Sequence, residues 1–183
     1  MKLAIFDMDG TLYNTNDVNY FAYKEALNKY NVLIDYEYYC NYCNGRHYST
    51  FLPPLVNGDK DKIKDIHDTK KNAYSKYLNK VKINEQLFNI MKIIKKEYKI
   101  ALVTTASKKN TMEILKYTNK LDIFDLILTA DDIKKPKPDP EGFLLAINKF
   151  GANPEDCIIF EDSDVGIEAA KKTKASVLKV EHF

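Results

Sequence analysis

Residues 2–11 read Lys-Leu-Ala-Ile-Phe-Asp-Met-Asp-Gly-Thr. A short apolar run that ends in turn-forming residues reads as a buried strand running out into a turn. Side chains alternate along an extended chain, so Asp7 and Asp9 project on the same side, with backbone positions about 7 Å apart. Two anions so close need a cation. A bound divalent metal would relieve their repulsion and attract a further anion, such as a phosphate, that carboxylates alone would repel. Gly10 supplies the freedom to leave the strand sharply, and Thr11 adds a hydroxyl at its mouth. Asp-x-Asp-Gly is also ordinary turn chemistry and the opening of a calcium-binding loop. The calcium reading fails, because Asp7 in position one puts Val18 where the loop needs Glu.

Downstream of residue 84 helices and strands alternate. Leu87, Ile90, Met91 and Ile94 have helical spacing, and 99–104 form a short apolar strand. A helix over 108–116, a strand over 126–129 and a helix carrying Phe143, Leu144, Ile147 and Phe150 on one face come next. Asp139 and Pro140 mark that helix's start. A strand over 157–160, a helix over 164–172 and a strand over 176–180 complete the pattern. Such alternation predicts an α/β fold: a Rossmann-like parallel sheet with helices on both faces. Residues 14–82 break the rhythm with a helix over 17–30, a Tyr-rich stretch, a Pro53-Pro54 breaker and a polar helix over 59–78. The expected organisation is a core of residues 1–13 and 83–183 with an inserted helical subdomain of residues 14–82. Eleven of the 13 tyrosines lie between Tyr13 and Tyr77, so the insertion has its own composition, suited to a small bundle with tyrosine rings inside and hydroxyls outside.

A chain of 183 residues can bury a substantial core. Its formal charge of +2, with lysines scattered over helix faces, gives no basic surface for nucleic acid. No apolar run approaches the ~20 residues of a membrane span, and the first residues form a strand rather than a signal peptide, so the expected location is cytoplasmic. The odd cysteine count, Cys40, Cys43 and Cys157, suits a reducing compartment.

Open parallel sheets bind ligands beyond the carboxyl ends of their strands. Polar residues gather at those ends here. The first strand ends in Asp7 and Asp9, and the second in Thr104-Thr105-Ala106-Ser107, whose hydroxyls and helix-opening amides can hold anionic oxygens. The third is followed by Lys134-Lys135-Pro136-Lys137-Pro138-Asp139, a stiff turn able to fix one ammonium. The fourth ends in Glu161-Asp162-Ser163-Asp164, able to complete a magnesium shell.

Asp7-Met8-Asp9-Gly10-Thr11, Thr105, Lys135-Pro136-Lys137-Pro138-Asp139 and Glu161-Asp162-Ser163 together resemble, in order and spacing, the four motifs of the haloacid dehalogenase (HAD) superfamily of phosphohydrolases. The resemblance is to the branch with an α-helical cap inserted after the first strand, which includes β-phosphoglucomutase and phosphoglycolate phosphatase. It implies that Asp7 is a nucleophile forming an aspartyl-phosphate and that Asp9 is the acid, then the base. It implies that Thr105 and the Ala106 amide bind the phosphoryl group and that Lys135 steadies nucleophile and phosphate. Mg2+ would be held by Asp7, the Asp9 carbonyl and Asp162, with Glu161 auxiliary.

Phosphoryl transfer needs in-line positioning and neutralised equatorial oxygens, which gives these roles chemical sense. One acid/base residue can serve both displacements by cycling its proton. The expected activity is a magnesium-dependent phosphatase acting on a small phosphorylated metabolite, as a monomer or weak homo-oligomer. By position Asn44-Gly45-Arg46 resembles the cap loop through which related enzymes reach substrate, making Gly45 and Arg46 candidate substrate contacts. The alternative is a sugar-phosphate mutase, whose histidine beyond Gly10 appears here as Asn19. A non-catalytic binding protein on the same fold is a further alternative. Cys40-x-x-Cys43 with His47 and His67 offers a loosely spaced zinc set.

Overall fold

A computed structural model gives the structure of the chain and describes all residues except Gly45, His47 and His182. In chain order the regular elements are β1 (Lys2–Phe6), β2 (Tyr13–Asn14), α1 (Asn16–Asn28), α2 (Tyr36–Tyr38), α3 (Tyr48–Leu55) and α4 (Lys60–Ala73). There follow β3 (Lys82–Ile83), α5 (Glu85–Ile94), β4 (Tyr98–Val103), α6 (Lys108–Tyr117), β5 (Leu126–Leu128), α7 (Glu141–Phe150), β6 (Cys157–Glu161), α8 (Asp164–Lys171) and β7 (Ser176–Lys179). Two compact units result, Met1–Asn14 with Lys82–Phe183, and Thr15–Val81.

The larger unit is a five-stranded sheet in the order β5-β4-β1-β6-β7, and every pairing in it is parallel. Central β1 is buried on both faces, as the uninterrupted run Leu3-Ala4-Ile5-Phe6 requires. Leu3 and Ile5 join Val103, Phe143, Ile147 and Ile159 in one apolar cluster. Phe6 instead stacks on Phe160 of the neighbouring strand, with ring centroids 4.3 Å apart. Local chemistry starts the helices. Asn84, Ser107 and Ser163 each accept a backbone N–H of the helix they precede, satisfying a donor left without an intrahelical partner. Gly151, in the left-handed region at φ 57°, ends α7. A short antiparallel ribbon pairs Tyr13 with Ile83 and Asn14 with Lys82, so the chain leaves and re-enters this unit side by side.

The smaller unit is helical. Tyr20, Tyr23, Tyr39, Leu52 and Ile66 pack in its core, while Tyr36, Tyr38 and Tyr42 are exposed. Residues Tyr39–Cys43 form a π-helical turn directly after α2. The sequence treats Pro53-Pro54 as a breaker, but both prolines lie inside α3, in its last turn. The helix ends just beyond them in a left-handed turn: the Gly58 N–H donates to the Pro53 carbonyl at 2.9 Å, and Asn57 and Gly58 take positive φ. The polar helix likewise ends earlier than its composition predicts, at Ala73, and continues as a 3-10 segment from Tyr74 to Lys80. No helix among the described residues is long and apolar enough to cross a membrane.

Candidate active site

The strand order reverses at β1, since the chain passes to β4 and β5 on one side and to β6 and β7 on the other. Such a reversal opens a crevice beyond the carboxyl ends of the central strands. Register brings those ends level: Phe6 lies opposite Leu102 of β4 and Phe160 of β6. Asp7 therefore emerges beside Glu161, and its N–H donates to the Phe160 carbonyl at 3.0 Å.

Three carboxylates meet there. Asp7, Glu161 and Asp162 each offer an oxygen within 4.8 Å of the others. The Lys137 ammonium donates to Asp7 Oδ1 and, at 2.6 Å, to Glu161 Oε1. This ion pair is buried, with side-chain exposures of 9% for Lys137, 8% for Asp7 and 1% for Glu161. The second Glu161 oxygen accepts the Ser163 N–H at 2.8 Å and its hydroxyl at 3.0 Å. Asp162 Oδ1 accepts from the Thr11 hydroxyl at 2.8 Å. Two glycines make the room. A Cβ on Gly10 would stand 2.0 Å from Asp162 Oδ2, and one on Gly166 would stand 1.7 Å from Glu161 Oε1.

Burial is the main force raising the Asp7 carboxyl well above its usual range; Lys137 opposes it, and Glu161 and Asp162 add to it. Asp162 is also raised, first by burial, against the Thr11 hydrogen bond. Burial alone would lower Lys137, but Asp7 and Glu161 outweigh it and hold the ammonium above its ordinary value. Three carboxylates and one ammonium leave two negative charges when all are ionised, the charge of one divalent cation. The donors are all hard oxygens, as Mg2+ prefers. Glu161 has both oxygens engaged, so Asp7 and Asp162 are the carboxylates best able to turn to a metal.

The ammonium beside Asp7 is that of Lys137, where the sequence points to Lys135. The turn explains it. Glu141 opens α7 and accepts the Lys134 and Lys135 N–H groups at 2.9 and 3.0 Å, which leaves the Lys135 side chain exposed. Lys137 then runs inward, with its ammonium 4.9 Å from the Phe143 ring centre. Lys135 does line a small cavity with Thr105, Val103 and Lys137. Thr105 is exposed at the end of β4, and the Ala106 N–H donates to the Thr104 hydroxyl at 3.0 Å. Asp9 is half-buried and bridges to Tyr13.

Arg46 belongs to the helical unit and is exposed; its N–H donates to the Cys43 carbonyl at 3.2 Å. Gly45 and His47 lie outside the described residues. Among the described residues Cys40, Cys43 and His67 do not gather as a ligand set, and His67 stacks on Tyr48 with ring centres 3.8 Å apart. The sequence also leaves unread the Thr11 and Ser163 hydroxyls as partners of Asp162 and Glu161. Their signal is that each closes an acidic motif, Thr11 the first and Ser163 the last.

The sequence profile of the haloacid dehalogenase-like hydrolases matches residues 4–180. The chain belongs to that family. It is therefore a hydrolase of the HAD superfamily, on the α/β fold with a helical insertion typical of this branch. A phosphorylated carbohydrates phosphatase of Thermotoga maritima is 32% identical over 191 residues, spanning 93% of this chain and 81% of that protein. Pyrophosphatase PpaX of Bacillus cereus is 28% identical over 193 residues, spanning 96% of this chain and 82% of that protein. Among solved structures, a Thermotoga maritima protein named as a candidate β-phosphoglucomutase superposes with a TM-score of 0.80 at 29% identity, covering 100% of this chain and 87% of that one.

Proposed function

We propose that this HAD hydrolase is a Mg2+-dependent phosphatase that cleaves a small cytoplasmic phosphomonoester, a sugar phosphate or similar metabolite, through an aspartyl-phosphate on Asp7. The observation that carries the reading is the buried Asp7–Lys137–Glu161 cluster with Asp162 beside it, at the carboxyl end of the central strand. Names of relatives that act on phosphorylated carbohydrates and pyrophosphate support the substrate class. Asp7 is positioned as the nucleophile by its own N–H on β6 and by Lys137, which fixes one carboxylate oxygen and leaves the other for attack. Asp9 is assigned the proton: it gives one to the leaving alkoxide, then takes one from the water that releases phosphate from Asp7. Lys137 takes the role first given to Lys135, and Thr105 supplies a hydroxyl to the phosphoryl oxygens. The Ala106 amide, engaged by Thr104, is given no role. Mg2+, held by Asp7, Asp162 and the Asp9 carbonyl, would neutralise charge on the transferring group. These groups grip only the phosphoryl end, so recognition of the remainder is assigned to the helical unit, with Arg46 its first candidate.

The test is inorganic phosphate release from a panel of sugar, polyol and other organic phosphates together with pyrophosphate, with Mg2+ or EDTA, for the native protein and Asp7→Asn. Mg2+-dependent release confined to a few related compounds, absent in Asp7→Asn, is the expected result. Release that survives Asp7→Asn would overturn the mechanism. Phosphate migration on hexose phosphates without release would establish a mutase instead, the activity for which the structural neighbour is named.

A further inference from the structure

We infer that Asn84 is a positioning residue for Asp162, acting through Thr11, and that it tunes metal affinity from outside the ligand set. The inference rests on the reading of Asp7 and Asp162 as a Mg2+ site. Asn84 follows β3 and is 8% exposed. Its backbone N–H donates to the Leu12 carbonyl at 2.9 Å, and its side-chain Nδ2 donates to the Thr11 carbonyl at 3.1 Å. Its Oδ1 accepts the Leu87 N–H at 3.2 Å in the first turn of α5. One buried side chain thus ties the loop that carries Asp9, Gly10 and Thr11 to a helix. Thr11 is fully buried and passes the constraint on, since its hydroxyl donates to Asp162 Oδ1 at 2.8 Å. On the other side Asp162 is confined by Gly10, where no Cβ could fit.

Capping α5 needs only the acceptor oxygen, which Asp or Ser would supply equally well. The Nδ2 donor is what separates asparagine from those residues, and its partner is the Thr11 carbonyl. Groups that orient metal-binding carboxylates from the outer shell are commonly worth about tenfold to a hundredfold in metal affinity.

The experiment measures Mg2+ binding by calorimetry, and unfolding midpoints without metal, for the native protein, Asn84→Asp, Thr11→Val and the double variant. Asn84→Asp keeps a capping oxygen but sets an acceptor against the Thr11 carbonyl. It is expected to weaken Mg2+ binding by about tenfold. Thr11→Val removes the hydroxyl that relays the constraint, so in its background Asn84→Asp should weaken binding no further. Any loss of stability from the Asn84 change should appear in both backgrounds, because it does not pass through the hydroxyl. Native affinity in Asn84→Asp, or the same loss of affinity in both backgrounds, would overturn the role of Asn84 alone. Should Asn84→Asp not fold, Asn84→Ser is read by the same criteria. Failure of the native protein to bind Mg2+ would overturn the metal site itself.

Discussion

Lys137 is the residue on which the site's electrostatics turn. Removing its ammonium strands Asp7 and Glu161 as buried carboxylates with a missing partner, a change that commonly costs about 3–5 kcal/mol. Lys137→Gln should therefore lower both stability, read by urea unfolding, and kcat/KM, the latter by about a hundredfold or more. Lys135→Gln touches an exposed side chain and should leave both near native values. Equal catalytic losses in the two variants would contradict the assignment. The sequence could not separate these lysines. They are two residues apart in a turn whose prolines impose no face, and what selects between them is the Glu141 carboxylate holding the first half of the turn. The grouping of Asp7, Glu161 and Asp162 was legible because they sit at the carboxyl ends of apolar strands, and parallel strands deliver those ends to one edge.

At the scale of single elements, two contacts outweigh propensity. Alanine is normally favoured over glycine in a helix by about 1 kcal/mol. In the first turn of α8, however, the new methyl at position 166 would meet a Glu161 carboxylate already pinned by Lys137 and Ser163. Gly166→Ala is thus expected to destabilise, and a raised denaturation midpoint would refute that packing argument. The start of β5 is fastened to β4 by Asp125, whose carboxylate accepts the Ile100 N–H at 2.9 Å and Lys99 Nζ at 3.1 Å. Burial works against ionisation there, but the Ile100 N–H and Lys99 together hold the carboxyl below its usual range. A depressed carboxyl contributes stability that is present above its unfolded value, about 3.9, and is lost as pH falls through the folded value. Asp125→Ala should accordingly cost about 1 kcal/mol at pH 7, discounted for the exposure of Lys99, with the difference from the native protein shrinking below about pH 4. Unfolding midpoints across that range would show it. Most element positions were legible, because strand and helix periods are written along the chain. The ends of α3 and α4 were not, since the first is set by the left-handed turn at Asn57 and Gly58, beyond prolines tolerated in the last helical turn, and the second by a helix tightening to 3-10 at Tyr74.

For the whole molecule, stability and ligand binding are linked by mass action. If Asp7 and Asp162 hold Mg2+, saturation at about a hundred times the dissociation constant should stabilise the native protein by about 2.7 kcal/mol. Thermal unfolding with and without Mg2+ would read this as a raised midpoint, absent in Asp162→Asn; an equal rise in that variant would place the metal elsewhere. What the sequence determined by itself was the α/β alternation, the helical insertion, and the four strand-end motifs that gather acidic, basic and hydroxyl groups. Those follow from local rules: hydrophobic period, capping residues and the parallel topology that helical crossovers enforce. What only the tertiary structure decided was which ammonium faces Asp7, which hydroxyls steady Asp162 and Glu161, and that Asn84 reaches back to Thr11. Those depend on contacts between residues as far apart as Thr11 and Asp162, or Asp7 and Lys137, whose partners are chosen by register and burial rather than by spacing along the chain.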